Sequence, residues 1–549
     1  MSDVPPAMAD FGEILRAVGD FGAFQKLLLV GLCLPNVILP FHLYSFMFTQ
    51  SGSPHHCNTD WILQVSPNLT KEEQLNLTLP RNQDGSFKSC EMFVPVDWDI
   101  DSIREHGLNQ TTGCRNGWVY DTSVYKATIV SDFDLVCDRA NFVGVAQMVF
   151  MGGILFGSLI FGPLAESFGR KRATQIPVVL MVFFTVGTGL SPNFYVYLVT
   201  QFVVGVSYGG FRVNCIVLAT EWIGVTKRSY PSCLSQIFSG VGQSILAGIA
   251  YLIRDWRIVQ FIIASPVAFV VLYIWLVPES ARWLLDRGKT EEAKELILRA
   301  AAINKRKIPD NILEKVTNQK NGRRGNIIDL ITSPVLRKHF LIITFGWFSL
   351  NLSYYCLTLN VGHFGMDIFL TQLIFGFTDI PAHIICVWTL EALGRKISVM
   401  FTLLMGGFVC LMILAVPQDN AIAITAFATT GRFFMNWAGT ICNIYVQELF
   451  PTSIRQTSTG LGAIATRIAG MLSPVLNLLA MYHWTIPTLV YSTCSLASGA
   501  LCFMLPETRR KELPDSADEL ERKGDVKTMK KNASHATTDQ HQHLKSTKL

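Results

Sequence analysis

The chain has 549 residues, of which half are hydrophobic and only 16% are charged. With a mean hydropathy of +0.33, this composition excludes a set of water-soluble domains, in which roughly 25% of the residues would be charged. The formal net charge of +5 is small and lies mostly between long apolar runs, so it indicates membrane topology and gives no sign of nucleic-acid binding.

Twelve apolar stretches interrupt the polar sequence. Each is close to the roughly 20 residues that a helix needs to cross the hydrocarbon core of a membrane. We therefore predict an all-α, polytopic membrane protein. The first span is too long for a cleavable signal peptide and lacks its cleavage site. The predicted spans are 24–48, 142–163, 174–192, 194–222, 232–253, 258–278, 340–360, 368–390, 397–416, 421–447, 457–481 and 486–505.

Lysine and arginine residues follow the second, fourth, eighth and tenth predicted spans in short loops. Because such residues stay on the cytosolic side, we predict that both termini are cytosolic and that residues 49–141 form one long external segment. External cysteines pair, and external sequons carry glycans. We predict two disulfides, with three pairings open, and N-glycosylation. The residues are Cys57, Cys90, Cys114 and Cys137 for the disulfides, and Asn68, Asn76 and Asn109 for the glycans.

Three motifs recur in the second half of the chain at an offset of 225 to 228 residues. Internal repeats of this kind are common in transporters. They predict two parallel six-helix halves, 24–278 and 340–505, with cytosolic segments at 1–23, 279–339 and 506–549. The recurring motifs are Gly169-Arg170-Lys171 with Gly394-Arg395-Lys396, Glu221 and Arg228 with Glu448 and Arg455, and Pro278-Glu279 with Pro506-Glu507.

The loop after the second span, at 162–171, resembles the signature loop of the major facilitator superfamily, with Glu166 where aspartate is usual. Together with the repeated motifs and the large external segment, it makes the chain similar to the organic cation, anion and zwitterion transporters of solute carrier family 22. This resemblance implies the major facilitator fold with twelve helices in two halves. It also implies inner-face gate salt bridges that do not touch substrate, at Glu166, Arg170, Glu221, Arg228, Glu391, Arg395, Glu448 and Arg455.

Substrate chemistry must come from polar groups inside the spans, where a charge is costly unless it is paired or faces a wet cavity. Arg467 lies in the eleventh span, at a position where the family's anion transporters have arginine and its cation transporters have aspartate. A guanidinium binds a carboxylate through two parallel hydrogen bonds and keeps its charge. We therefore predict that Arg467 holds the substrate anion. The alternative is a structural arginine bonded to helix carbonyls.

Arg212 in the fourth span departs from the family, because the related anion transporters have small or apolar side chains at this pocket position. An unpaired charge at this depth is costly. Arg212 is therefore either a second cation in the cavity, which would favour a dianion or a chloride, or the partner of an acidic group such as Asp379.

Other side chains inside the spans are further candidates for the binding site. His383 stands where several anion-transporting relatives have lysine or arginine, and it is either a substrate donor or a buried, hydrogen-bonded histidine. Aromatic side chains either stack on flat ligands or pack the helices. Tyr354, Tyr355 and Phe238 match pocket positions of these relatives, and Trp437 is a further aromatic candidate in the tenth span.

We found no phosphate loop, metal-ligand spacing or nucleophile elbow, so we predict no enzyme and no cofactor. The sequence instead predicts a plasma-membrane transporter of organic anions that works by alternating access and exchange. The external segment most resembles the subgroup of the urate and nicotinate exchanger and its riboflavin-transporting neighbour. Urate, nicotinate or related carboxylates are thus the implied substrates, with chloride or a dicarboxylate as counter-anion.

We expect a monomeric transport unit in contact with membrane lipids. Two other functions stay open at this point. One is a carrier of a carnitine-like zwitterion or an organic cation, because the family's carnitine carriers also have arginine at the position of Arg467. The other is a receptor or scaffold that kept the fold and lost transport.

Overall fold

The computed structural model describes residues 11–19, 21–83, 85–223, 229–309, 327–360, 366–417, 419–450 and 452–509. Twelve long helical segments dominate it. In the first half they are α1 Ala23–Thr49, α2 Asn141–Phe168, α3 Arg170–Gly189, α4 Phe194–Glu221, α5 Ser229–Leu252 and α6 Trp256–Ile274. In the second half they are α7 Pro334–Leu359, α8 Ile368–Ala392, α9 Arg395–Met412, α10 Ala421–Leu449, α11 Thr452–Leu478 and α12 Thr485–Leu501.

The helices match the predicted spans in number and order. Eleven helical segments in the described part of the chain are long and apolar enough to cross a membrane, and the 29-residue α10 completes the twelve. The α1 segment is broken by a 3-10 turn at Leu34–Val37, in which Pro35 is the second residue. The α7 helix begins at Pro334, earlier than the predicted residue 340. Proline is favourable in the first turn of a helix. The prediction began later because the basic residues after Pro334 interrupt the apolar stretch.

Shorter helices lie outside the twelve long segments. One precedes α1, and others follow α6 or lead into α7. Asn304 ties this group to α1, because its side chain accepts a hydrogen bond from the backbone N–H of Phe24 at 2.8 Å and donates one to the carbonyl oxygen of Val18 at 2.9 Å. The helices are Phe11–Val18, Ala281–Asp286, Thr290–Ile303 and Ile327–Thr332.

The two halves meet along two helix pairs, α2 with α11 and α5 with α8. The α5 and α8 backbones approach so closely that a Cβ atom at Gly240 would lie 2.9 Å from the carbonyl oxygen of Gly376. Only glycine allows this separation. The two glycines therefore keep the halves in direct backbone contact across the bundle.

A repeated turn connects α2 to α3 and α8 to α9. Gly169 and Gly394 have φ values of +101° and +88°, which L side chains rarely adopt. In each turn a carboxylate caps the next helix: Glu279 accepts hydrogen bonds from the backbone N–H groups at Arg170 and Lys171, and Glu507 does the same at Arg395 and Lys396. A negative charge at a helix N-terminus is stabilising, so the recurring Pro-Glu motifs are helix caps supplied from the far end of each half.

The segment between α1 and α2 forms a small domain with little core. Its strands are β1 His55–Cys57, β2 Glu91–Phe93, β3 Thr111–Gly113 and β4 Trp118–Tyr120, and its helices are Trp61–Val65, Lys71–Thr78, Ile100–His106 and Ile129–Asp132. The β1 strand pairs antiparallel with β4, and β2 pairs antiparallel with β3. Disulfides join Cys57 to Cys114 and Cys90 to Cys137, which selects one of the three pairings left open by the sequence.

We predict that peptide mapping without reductant will recover the Cys57–Cys114 and Cys90–Cys137 pairs, because all four sulfurs are already bonded in the folded domain. Asn68, Asn76 and Asn109 are exposed on the same domain, so glycosidase treatment of protein from mammalian cells should lower its apparent mass. The triple Asn→Gln variant is the control and should no longer respond. Free thiols at all four cysteines, or a wild type that migrates like the triple variant, would contradict the external placement.

Candidate functional site

Two arginines from opposite halves meet in the middle of the helix bundle. Arg212 is on α4 and Arg467 is on α11, and each lies within electrostatic reach of the other and of the hydroxyls of Tyr208 and Tyr355. Arg212 donates hydrogen bonds to the Tyr208 hydroxyl at 2.9 Å and to the Gln236 side-chain carbonyl at 3.4 Å. Both arginines are half-buried. A site with two guanidinium groups therefore lies between the halves.

This arginine pair lacks a balancing negative charge. Within the described ranges, neither Arg212 nor Arg467 makes an ion pair with a carboxylate, and the Nε atom of Arg467 is buried with no hydrogen-bond partner. Like charges held close together in a poorly solvated site repel each other. A ligand that brings negative charge would relieve the repulsion and supply the missing hydrogen-bond acceptor.

Two consecutive tyrosines on α7 separate this site from a second polar network. Tyr355 lies against the arginine pair, and a Cβ atom at the neighbouring Gly470 would lie 3.2 Å from its ring. Tyr354 instead binds Arg432 and Tyr44. The two rings are in contact, with centroids 5.5 Å apart and nearly perpendicular planes.

The second network is centred on Arg432, whose side chain is 0% exposed. Its Nη1 and Nη2 atoms each lie 3.0 Å from one oxygen of Asp379. The Nε atom donates to the Thr358 hydroxyl at 3.1 Å, and Nη1 also donates to the carbonyl oxygen of Phe375 at 3.0 Å. The rings of Tyr354 and Phe375 lie 4.5 and 4.6 Å from the guanidinium carbon, so this buried charge is fully surrounded.

The pairing of Arg212 with Asp379, one of the two alternatives for Arg212, is wrong. Both carboxylate oxygens of Asp379 bond to Arg432 on α10. The sequence could not show which faces of α4, α8 and α10 meet. Arg212 is left as the second cation beside Arg467.

The Arg432 network also crosses between the two halves. Arg432 Nη2 donates to the Gln243 side-chain oxygen on α5 at 3.0 Å, and the Gln243 amide donates to Gln372 on α8 at 2.6 Å. The hydroxyls of Tyr44 on α1 and Tyr354 on α7 are 2.7 Å apart. Sequence reasoning did not select Tyr44, Gln243 or Gln372, although polar side chains inside spans were the available signal.

Besides Tyr354, three of the predicted binding residues lie away from the arginine pair. His383 is 1% exposed, and its ring nitrogens contact Thr440 at 2.8 Å and Asn436 at 3.3 Å within the second half, which fits the buried, hydrogen-bonded alternative. Phe238 packs against α1 and the residue Ile223 just after α4, and Trp437 packs among phenylalanines of α9 and α10. The neighbours are Leu29, Cys33 and Ile223 for Phe238, and Phe401, Phe433 and Phe434 for Trp437.

The predicted gate residues form contacts inside each half. Arg170 Nε lies 3.3 Å from Glu221, and Arg395 Nη2 lies 2.7 Å from Glu448. The backbone oxygen of Glu166 accepts a hydrogen bond from the Trp283 indole at 2.8 Å. Arg228 and the side chains of Glu391 and Arg455 lie outside the described residues. Whether these groups gate transport stays a prediction.

Comparisons with known proteins identify the family. Residues 104–519 match the family model described as "Sugar (and other) transporter". The chain is 39% identical to human solute carrier family 22 member 13, with 94% of each chain covered, and 35% identical to mouse member 14, with 92% of this chain and 80% of the relative covered. It is 33% identical to Xenopus laevis member 6-B over 93% and 94% of the two chains. The chain belongs to solute carrier family 22.

Solved structures agree with this assignment at the level of fold. The major facilitator superfamily proton:xylose symporter XylE, solved with 6-bromo-6-deoxy-D-glucose, is 15% identical and superimposes with a TM-score of 0.59 over 89% of this chain and 98% of that one. The protein is therefore a multi-pass transporter of the major facilitator superfamily, and family 22 members are transporters and not enzymes. Its twelve helices have the predicted architecture.

We predict that Asp379→Asn and Arg432→Gln will each lower the abundance of this family 22 protein, because removing one partner of a buried ion pair costs about 3–5 kcal/mol. The double variant should recover much of the loss, since it leaves no unpaired charge. Abundance is measured by surface biotinylation and by size-exclusion chromatography of detergent extracts. The control is Asp379→Asn combined with Arg212→Ser, which should not recover; recovery there would mean that Arg212 and not Arg432 balances Asp379.

Proposed function

We propose that this family 22 transporter carries organic anions across the plasma membrane, with Arg467 as the main anchor and Arg212 as a second cation. The observation that carries the proposal is the arginine pair, which has no carboxylate ion-pair partner among the described residues. Arginine presents a fork of N–H donors that matches a carboxylate. An anion bound there would balance charge that the protein leaves unbalanced.

The same arrangement argues against a cation or a carnitine-like zwitterion. A quaternary ammonium group needs a carboxylate, or an aromatic face that does not lie beside other cations as Tyr355 does. Asp379 is engaged by Arg432 through both oxygens, and the Tyr354 ring is covered by the same guanidinium. The groups around Arg467 are Arg212 and the two hydroxyl-bearing rings of Tyr208 and Tyr355, which suit an anionic ligand with a flat ring.

Urate, nicotinate or a related carboxylate is the proposed substrate. Tyr355 offers an aromatic surface beside the charges, and small-molecule sites generally combine such walls with a few fixed polar groups. The choice of these compounds rests on the similarity of the external segment to the urate and nicotinate exchanger subgroup. A second negative charge, on a dicarboxylate or as a chloride, would occupy Arg212 and could serve as the counter-anion.

Alternating access is supported by the closed end of the bundle beside the disulfide-bonded domain. Phe369 on α8 stacks on Phe48 of α1 at 5.3 Å and meets Tyr251 of α5 at 5.7 Å. On the other side of the interface, Leu478 packs against Gly144. We propose that the closed end is extracellular and that both termini are cytosolic, so that the half-buried arginines are reached from the cytosol in this state.

We predict that Arg467→Ala will reduce uptake of labelled urate or nicotinate at least about tenfold, because charge-assisted hydrogen bonds contribute about 1.5–3 kcal/mol. Surface abundance should stay unchanged, since Arg467 makes no ion pair with a carboxylate among the described residues and its removal therefore leaves no unpaired buried charge. Arg467→Lys should restore only part of the uptake, because a point charge cannot reproduce the fork.

Efflux of a preloaded anion, stimulated by the same anion outside, provides the second measurement. An exchanger shows this stimulation, whereas a non-transporting receptor or scaffold shows none. Normal uptake by Arg467→Ala would show that Arg467 does not anchor the substrate. If the wild type neither takes up nor releases urate, nicotinate, carnitine or tetraethylammonium, the scaffold function would be favoured.

We predict that Arg212→Ser will weaken dicarboxylate transport or chloride-dependent transport more than transport of a monocarboxylate. Removing one of two adjacent cations leaves Arg467 to bind a single carboxylate with less repulsion, while the second negative charge loses its partner. The measurement is the inhibition of labelled nicotinate uptake by glutarate, in chloride buffer and in buffer with gluconate in place of chloride. It reports both the preference for a dicarboxylate and the dependence on chloride. Gln236→Leu is a matched control that keeps the Arg212 charge; equal selectivity in wild type and Arg212→Ser would exclude Arg212 from recognition.

A further inference from the structure

One of the two disulfides in the external domain lies beside a histidine. A ring nitrogen of His55 and the sulfur atoms of Cys90 and Cys137 all lie within 4.8 Å of one another. Cys90 is exposed, whereas His55 and Cys137 are half-buried. Cys90 is therefore the solvent-facing residue of this bond, while an imidazole lies next to both sulfur atoms.

The hydrogen bonds of His55 leave one ring nitrogen free to exchange a proton. Nδ1 lies 3.1 Å from the backbone oxygen of Ser53, and because a carbonyl oxygen can only accept, Nδ1 carries the proton of the neutral ring. Nε2 is buried and has no hydrogen-bond partner, which is uncommon for a buried polar atom. Its lone pair can accept a proton and release it again.

The groups that face His55 do not compete for this proton. The ring of Tyr120, on the paired strand β4, lies 5.9 Å from the imidazole, and its hydroxyl donates to Asp134 at 2.9 Å. Burial and this hydrogen bond raise the pKa of Tyr120, so the hydroxyl stays protonated. The carboxylate of Asp134 is thereby engaged with Tyr120.

The backbone at Cys137 has a conformation that is uncommon for a residue with a side chain. Its φ value is +55°, in the left-handed region that residues with a side chain rarely adopt. Cys137 begins a 3-10 turn that ends at Arg139, directly before α2. Cleavage of the disulfide would let this residue relax toward ordinary backbone angles.

We propose that the Cys90–Cys137 disulfide is a thiol-exchange site, with His55 as its proton carrier and a small aliphatic thiol as its reactant. The thiol gives its proton to His55 Nε2, and its sulfur attacks Cys90 Sγ. The disulfide bond breaks, and Cys137 Sγ leaves with the electron pair and takes the proton from His55. The product is a mixed disulfide at Cys90 and a free thiol at Cys137. A second thiol then releases Cys90 and leaves as half of a small-molecule disulfide.

The other disulfide of the domain is an internal control. Cys57 is 0% exposed and packs with Leu79 and Met92. In the part of the chain that the structure describes, no similar cluster joins Cys57 and Cys114 to a histidine. His56 is adjacent in sequence to His55, but successive strand residues point to opposite faces, and His56 lines a separate cavity of about 380 Å³ together with Val119.

The test uses the full-length protein in detergent, treated with 2-mercaptoethanol for increasing times, quenched with N-ethylmaleimide and mapped by peptide mass. We expect Cys90 and Cys137 to react at least about tenfold faster than Cys57 and Cys114, with the first mixed disulfide on Cys90. His55→Gln should slow the reaction of Cys90–Cys137 about tenfold, because it removes the proton carrier. His56→Gln should leave that rate unchanged.

Each result bears on the exchange site independently of anion transport. Equal rates for the two disulfides, faster reaction of Cys57–Cys114, a first mixed disulfide on Cys137, or an unchanged rate in His55→Gln would each overturn the proposal. A map of each untreated variant checks that both disulfides have formed. If His55→Gln fails this check, the order of reaction and the position of the mixed disulfide in the wild type decide the question.

Discussion

A charged side chain in the hydrocarbon core must be balanced by an opposite charge or remain in contact with water, and this requirement organises the centre of the protein. Arg432 meets it within the protein, through both oxygens of Asp379 and a shell of hydrogen bonds. Arg212 and Arg467 meet it only in part, because they stay half-buried and have no carboxylate partner in the described residues. The Arg432–Asp379 network stabilises the fold. The pair of Arg212 and Arg467 keeps an unbalanced positive charge, which an anionic substrate would neutralise.

The two halves share the same inter-helix turns and helix caps but differ in the polar residues at their centres. Both halves use a positive-φ glycine, Gly169 or Gly394, and both cap the following helix with a distant carboxylate, Glu279 or Glu507. The buried ion pair, in contrast, occurs in the second half. The repeated turns and caps give the two halves the same helix connections. The polar residues at their centres differ, so the interface between the halves contains both the arginine pair and the Arg432–Asp379 network.

The sequence was sufficient for the helices and their order, because span length and hydropathy are local properties. It also gave the two halves, since the repeat is visible without knowing any contact. The start of α7 was missed because basic residues near Pro334 end an apolar window without ending a helix. The choice of Arg432 over Arg212 as the partner of Asp379, and the choice among three disulfide pairings, depend on which faces meet, and a single sequence does not contain that information.

The same limit separates the candidate binding residues. Tyr355 reaches the arginine pair, whereas Tyr354, one position earlier, points to a different network because neighbouring residues on a helix are about 100° apart. His383 and Trp437 lie on faces that pack inside the second half. A mid-span position therefore identifies a residue as expensive to bury, but the helix face decides whether a ligand can reach it.

The hydrogen bonds that Gln243 and Tyr44 make across the interface have a consequence for the design of inhibitors. Three such bonds join the halves, and at about 1 kcal/mol each they would favour the state that keeps them by roughly a hundredfold. In the transport cycle proposed above, a compound whose binding requires these bonds to be broken would have its apparent affinity lowered by that factor. Inhibitors of equal intrinsic affinity should therefore differ in potency according to whether their binding leaves these bonds intact.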